Sequence, residues 1–336
     1  YPFRFLPIRD EYVWGAEEFL LADLGYRDSL LRSGWLGASN LSEVMDIYMD
    51  RVVGDEVFSR YGRQFPLQIK MLEVKGKMPL RVHPDDEISA QRYDSLGKEK
   101  FWYIIKAEKN ARLYLGFRED TDASKLLSAC EEGSVEELMN TVAPYAGQCV
   151  RIAPGVVHGA SGGLLIAEVS QCSGLDFCVW NWGQALGEEE FDSSVGLSDA
   201  LDFIDYKRFA GDAPGQPGNS GSAGDGFART LLELPQFKIS LLYLAAPLQI
   251  TAGEPASFTA YFCVDGRADV EAENADDGEA VQQLRSRDAV LVPAECPKFK
   301  LIPREPTLLL EITVPPYTEP DSYVGDANLS EPEEEQ

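Results

Sequence analysis

Met78-Pro79-Leu80-Arg81-Val82-His83-Pro84-Asp85-Asp86-Glu87 is followed, after a short polar connection, by Leu96-Gly97-Lys98-Glu99-Lys100-Phe101-Trp102-Tyr103-Ile104-Ile105-Lys106. Two short apolar runs flanked by turn residues read as β-strands rather than helices. The stretch holds one of the two histidines of the 336-residue chain. The other, His158, follows a similar run, Cys149-Val150-Arg151-Ile152-Ala153-Pro154-Gly155-Val156-Val157. Histidines beside strand-like runs raise the question of a metal site.

Outward from this stretch the pattern continues. Phe65–Val74 is apolar, Leu113, Leu115 and Phe117 alternate with Tyr114 and Gly116, and Leu164–Val169 is a further apolar run. Asn40–Val53 reads as a helix with a capping box at Asn40 and Glu43 and an apolar face of Val44, Ile47, Tyr48 and Val52. A helical interlude over Asp122–Val142 carries a second box, Ser134 with Glu137, whereas Asp85-Asp86-Glu87 after Pro84 reads as a solvated turn. Many short strands with a few helices, these inserted in the N-terminal half, predict a mainly β fold, either a β-sandwich or a jelly-roll barrel.

Residues 210–226, rich in Gly, Ser and Pro, mark a connector that cannot bury a core. The expected organisation is an N-terminal barrel over 1–209, the linker, a C-terminal barrel over 227–316 and an acidic tail over 317–336. Strands are expected at Phe237–Leu244, Ser257–Val264, Ala289–Val292 and Thr307–Val314. A faint repeat supports two copies of one unit: Gly147–His158 and Arg287–Pro297 are each a polar turn, an apolar strand and a Pro-containing turn. Only the first copy carries a histidine, which places any chemistry in the N-terminal half.

The net charge of −26 excludes nucleic acid and anionic membranes as main partners. Six scattered cysteines without a Cys-x-x-Cys pair read as reduced thiols, and no apolar run reaches the roughly 18 residues of a span. A cytoplasmic protein is expected.

Phe65-Pro66-Leu67-Gln68-Ile69-Lys70, Val82-His83-Pro84-Asp85-Asp86-Glu87, Leu96-Gly97-Lys98 with Trp102-Tyr103-Ile104-Ile105, and Pro154-Gly155-Val156-Val157-His158 together resemble the type I mannose-6-phosphate isomerases, zinc enzymes built from cupin barrels. The resemblance implies conversion of mannose 6-phosphate to fructose 6-phosphate. It also implies zinc held by a Gln-x-His pair, a Glu two residues after a Lys, and a later His. On that pattern His83 and His158 match metal ligands, Lys98 matches the lysine, and Glu168 matches a glutamate of the active-site strand and is the catalytic candidate.

Other positions depart from the pattern. The Gln is Arg81, the Glu ligand is Lys100, a phosphate-binding serine is Pro79, the catalytic arginine is Cys178 and a second arginine is Gln184. On a strand, alternate residues share a face, so Arg81 is expected beside His83, Lys98 beside Lys100, and Glu99 on the opposite side. Two histidines beside two cations make a poor zinc site. A divalent ion about 4 Å from either cation meets several kcal/mol of repulsion at an effective dielectric near 20. The expectation is no metal, or a weakly bound one, with Arg81, Lys98 and Lys100 holding a sugar phosphate or another small anion.

Three readings follow. One is a zinc-dependent isomerase with a rearranged site. Another is a lapsed relative, a pseudoenzyme that still binds an anion. The third is a structural or interaction protein that keeps only the fold. The substitutions favour the second.

Overall fold

In the computed structural model, residues 1–184, 196–211, 226–252, 257–273 and 281–316 are described; most of the connector and the whole acidic tail lie outside them. The strands of the N-terminal half are β1 (Phe5–Leu6), β2 (Ile8–Tyr12), β3 (Gly15–Leu21), β4 (Leu30–Leu31), β5 (Leu67–Val74), β6 (Leu80–Val82) and β7 (Lys100–Ala107). They continue with β8 (Arg112–Phe117), β9 (Met139–Val142), β10 (Cys149–Ile152), β11 (His158–Ser161), β12 (Leu164–Gln171) and β13 (Phe177–Trp180). A six-stranded sheet, β10-β7-β12-β5-β3-β2, faces a five-stranded one, β13-β6-β11-β8-β9, and pairing within both is antiparallel.

The C-terminal half repeats this plan. Its strands are β14 (Phe227–Glu233), β15 (Lys238–Leu244), β16 (Leu248–Thr251), β17 (Thr259–Asp265), β18 (Arg267–Ala272), β19 (Val281–Arg285), β20 (Ala289–Val292), β21 (Lys298–Pro303) and β22 (Thr307–Thr313). They form the sheets β14-β15-β22-β17-β20 and β16-β21-β18-β19. The molecule is mainly β, with a cupin-like fold.

Period-2 alternation explains how the halves join. Ile69, Phe101, Tyr103, Ala167 and Val169 leave the outer face of the six-stranded sheet. They share one apolar core with Ile239, Leu241, Phe262, Leu310 and Ile312 of the C-terminal half. Phe3 extends this union by exchanging two backbone hydrogen bonds with Leu291.

Several local expectations need correction. The helix expected over Asn40–Val53 is broken into Leu41–Tyr48 and Asp50–Val53 at Met49, which takes a positive φ of 45°. Its Glu43 does accept from the Asn40 N–H, but Ile47 is 67% exposed and Met45 is buried in its stead. Ser134 makes no side-chain cap, and Met139–Val142 is strand β9 rather than helix. The run after Pro84 is the start of a helix, Asp86–Tyr93, with the Asp85 carboxylate accepting from the Ile88 N–H. No helix among the described residues is long and apolar enough to cross a membrane.

Candidate functional site

Register builds the interior of the first barrel row by row. Leu72, Ile166 and Ile104 align across β5, β12 and β7 at the apolar base. One row nearer the mouth stand Lys70, Glu168 and Trp102, and beyond them Gln68, Ser170 and Lys100. From the opposite sheet, Cys178, Arg81 and His158 are adjacent across β13, β6 and β11. The apolar base is thus covered by a layer of charge.

That layer is tightly paired. Lys70 Nζ lies 2.9 Å from Glu17 Oε2 and 3.1 Å from Glu168 Oε1, and Arg81 reaches Glu17 Oε1 at 2.7 Å. Trp102 Nε1 donates to the other Glu168 oxygen at 2.7 Å. Asp176 accepts from Lys98 at one oxygen and Lys100 at the other, both at 2.5 Å. Among the described residues of this cluster, four cations face three carboxylates, leaving one positive charge inside a protein of net −26.

Burial alone would push the Glu17 carboxyl up; Lys70 and Arg81 outweigh it and hold it at about 2. For Glu168, Lys70 and Lys100 likewise overcome burial, again giving about 2. Asp176 lies well below the carboxylate range because two ammoniums outweigh its burial. Each of those ammoniums has only a share of one counter-charge. Burial therefore lowers Lys98 to about 8, Asp176 opposing and neighbouring Lys100 adding to the fall.

The histidines are neutral. Burial, then Lys100, lowers His158 to about 3, and His83 falls well below its ordinary value for the same reasons. Their rings meet edge to face with centroids 5.1 Å apart. His158 Nδ1 is 2.9 Å from the Val156 carbonyl, and Nε2 is 3.3 Å from Lys100 Nζ. Both nitrogens of His83 are buried without a hydrogen-bond partner.

Arg81, Lys98, Lys70, Glu17 and Asp176 line a cleft of about 380 Å³, together with Tyr12, Tyr26 and an Arg27–Asp10 ion pair. Lys98 and Lys100 converge on one carboxylate, and Glu99 turns away to Arg151 at 2.7 Å. The loop before Lys98 is held by Asp86, whose Oδ1 accepts from the Gly97 N–H and from Gln171. A Cβ on Gly97 would lie 2.4 Å from the Asp86 nitrogen, so only glycine allows this approach. Lys100 and Glu168 are not among the cleft-lining residues; Glu168 is enclosed by Trp102 and Lys70.

A metal ion does not fit this donor set. Among the described residues no group of three or more His, Cys, Asp or Glu could hold one. The Nε2 of His158 faces an ammonium, and Asp176 is taken by two more bonds.

Sequence reasoning missed Glu17, Lys70 and Asp176. Glu17 and Lys70 carry a signal, since each is a charge at a position whose strand is otherwise buried. Asp176, in a connection before β13, carries none.

Comparisons with known proteins agree with this architecture. No family model matches the chain. Mannose-6-phosphate isomerase ManA of Bacillus subtilis is 24% identical over 318 residues, covering 89% of this chain and 95% of that protein. A mannose-6-phosphate isomerase of Streptococcus mutans is 27% identical over 118 residues, 35% of this chain and 37% of that one. Among solved structures, the Bacillus subtilis mannose 6-phosphate isomerase superposes with a TM-score of 0.72 at 20% identity, over 93% of this chain and 98% of that one. A phosphomannose isomerase variant from Salmonella typhimurium gives 0.69 at 14% identity, over 93% and 99%. The fold is that of a two-barrel, cupin-like protein with a polar cluster in its first barrel. Over nearly its whole length the chain is similar in sequence and fold to mannose-6-phosphate isomerases.

Proposed function

We propose that the chain binds a small phosphorylated sugar, or a chemically similar anion, in its first barrel, and that metal-dependent isomerisation has lapsed. The observation that carries this reading is the cleft itself: Arg81 and Lys98 stand on its wall, in a cluster with one positive charge in excess. A cleft of about 380 Å³ falls in the range of small-molecule sites. Charge-assisted hydrogen bonds from a guanidinium and an ammonium suit a phosphate. The relatives' names supply the sugar. The six cysteines, none joined in a disulfide, suit a reducing compartment such as the cytoplasm.

Thermal unfolding with mannose 6-phosphate, mannose and inorganic phosphate tests the binding. Ligand at about 100 times its Kd adds about 2.7 kcal/mol of stability. Stabilisation by the two phosphates and not by mannose is the expected result; none from either phosphate overturns the reading. A coupled isomerase assay with added zinc tests the lapse. Zinc-dependent turnover would establish the runner-up, an active isomerase with a rearranged site.

A further inference from the structure

His158 is posed like a metal ligand. A carbonyl oxygen can only accept, so the 2.9 Å contact to Val156 places the imidazole proton on Nδ1. The Nε2 lone pair then points into the barrel, the orientation that a backbone carbonyl commonly gives a ligating histidine. In front of that lone pair is Lys100 Nζ, 3.3 Å away, itself 2.5 Å from Asp176. Lys100 is 1% exposed and stands two rows above the apolar base, where Ser170 separates it from Gln68.

We infer that the Lys100 ammonium is the resident cation of this barrel, seated between His158 and Asp176 in the place a divalent ion would take, so that the site works without metal. The pairing also says which charge is left over. Lys70 and Arg81 are matched by Glu17 and Glu168, whereas Lys98 and Lys100 share Asp176. With Lys100 committed to His158 and Asp176, the excess positive charge falls at Lys98 on the cleft wall. That last step rests on the anion-binding reading above; the seating of Lys100 does not.

Because the chain has only two histidines, 15N-histidine spectra of the whole protein contain only two imidazoles to assign. His158 is expected as the neutral Nδ1–H tautomer, unchanged by zinc or cobalt(II), with no stoichiometric metal retained after gel filtration. One retained equivalent with Nε2 coordinated would overturn the inference. Lys100→Glu exchanges the ammonium for a carboxylate beside His83 and His158. It is expected to bind cobalt(II) about 100-fold more tightly than the parent, or better, with visible d–d bands and both histidine signals displaced. Lys100→Met removes the charge alone and should gain less. A folded Lys100→Glu protein that binds cobalt no better than the parent also overturns it. If that variant does not fold, the parent spectra still decide. Phosphate-dependent stabilisation of the parent is read separately: its absence with His158 unmoved by metal defeats the anion reading alone.

Discussion

The two barrels share a strand plan and differ in what they put inside it. The sheet order β10-β7-β12-β5 of the first matches β20-β17-β22-β15 of the second, and the register matches as well. Val150 pairs with Trp102 and Val290 with Tyr261; Glu168 pairs with Trp102 and Glu311 with Tyr261. Even one bond recurs: Trp102 donates to Glu168 and Tyr261 donates to Glu311. Where the first barrel has Lys70 opposite this glutamate, the second has Ser240; where it has Lys100, the second has Thr259. Leu242, Leu244, Val270, Phe299, Leu301 and Leu309 fill the second interior. A glutamate–aromatic tie common to both barrels belongs to the shared architecture, which argues that Glu168 is a tie between strands. The lysines, the histidines and Asp176 are particular to the first barrel, and so is the cleft chemistry.

The largest expected effect breaks the ionic layer. Asp176→Ala leaves two buried ammoniums without a counter-charge and is expected to cost about 3–5 kcal/mol in urea unfolding. Glu311→Ala in the second barrel strands only a tyrosine hydroxyl and should cost about 1–3 kcal/mol. Equal losses would mean that the two interiors are energetically alike. Next in size, Leu301→Ala opens a cavity in the apolar interior and is expected to cost about 2–4 kcal/mol. Phosphate-dependent stabilisation should survive it, because the cleft is formed by residues of the N-terminal half.

Much of this contrast was legible in the sequence, for a physical reason. Strand positions and facing follow from period-2 alternation, so β10 and β20 came out at Cys149–Ile152 and Ala289–Val292, and Lys98, Lys100 and Glu99 face as alternation requires. What alternation cannot report is the partner across the barrel. Arg81, Lys98 and Lys100 looked like bare cations, but Glu17 and Asp176, 64 and 78 residues from Arg81 and Lys98, neutralise most of their charge. The helix after Pro84 was hidden for a different reason. Asp85 is favoured equally by a turn and by a helix N-cap, and the following residues show little amphipathic pattern.

Acid separates the barrels further, since both histidines lie in the first. His83 and His158 stay neutral when folded and protonate near 6.5 when unfolded, so below that pH the unfolded chain binds more protons. Stability is therefore expected to fall as pH drops from about 6.5, by about 1.4 kcal/mol per pH unit for each histidine. For His158 this continues towards about 3. Glu17 and Glu168 act in the same direction from about 4.5 downwards, because their depressed values contribute stability that is lost as they protonate. His158→Gln should flatten the upper part of this limb in equilibrium unfolding across pH; an unchanged slope would show that the histidines are not held neutral.

The smallest effect tests where the surplus charge resides. Lys98 is lowered to about 8, so its ammonium is present below that pH and lost above it. Its folded value lies under its unfolded one, and its deprotonation relieves the fold between about 8 and 10.5 while removing an anion contact. Sulfate is the better probe here, because its own charge is constant over this range. Sulfate affinity is expected to fall about tenfold from pH 7 to pH 9, a change of about 1.4 kcal/mol. Lys98→Met should start low and show no alkaline limb, and Lys98→Arg should hold its affinity through pH 9, since a guanidinium does not titrate there. A limb that persists in Lys98→Met would move the surplus charge to another member of the cluster, Lys100 first among them.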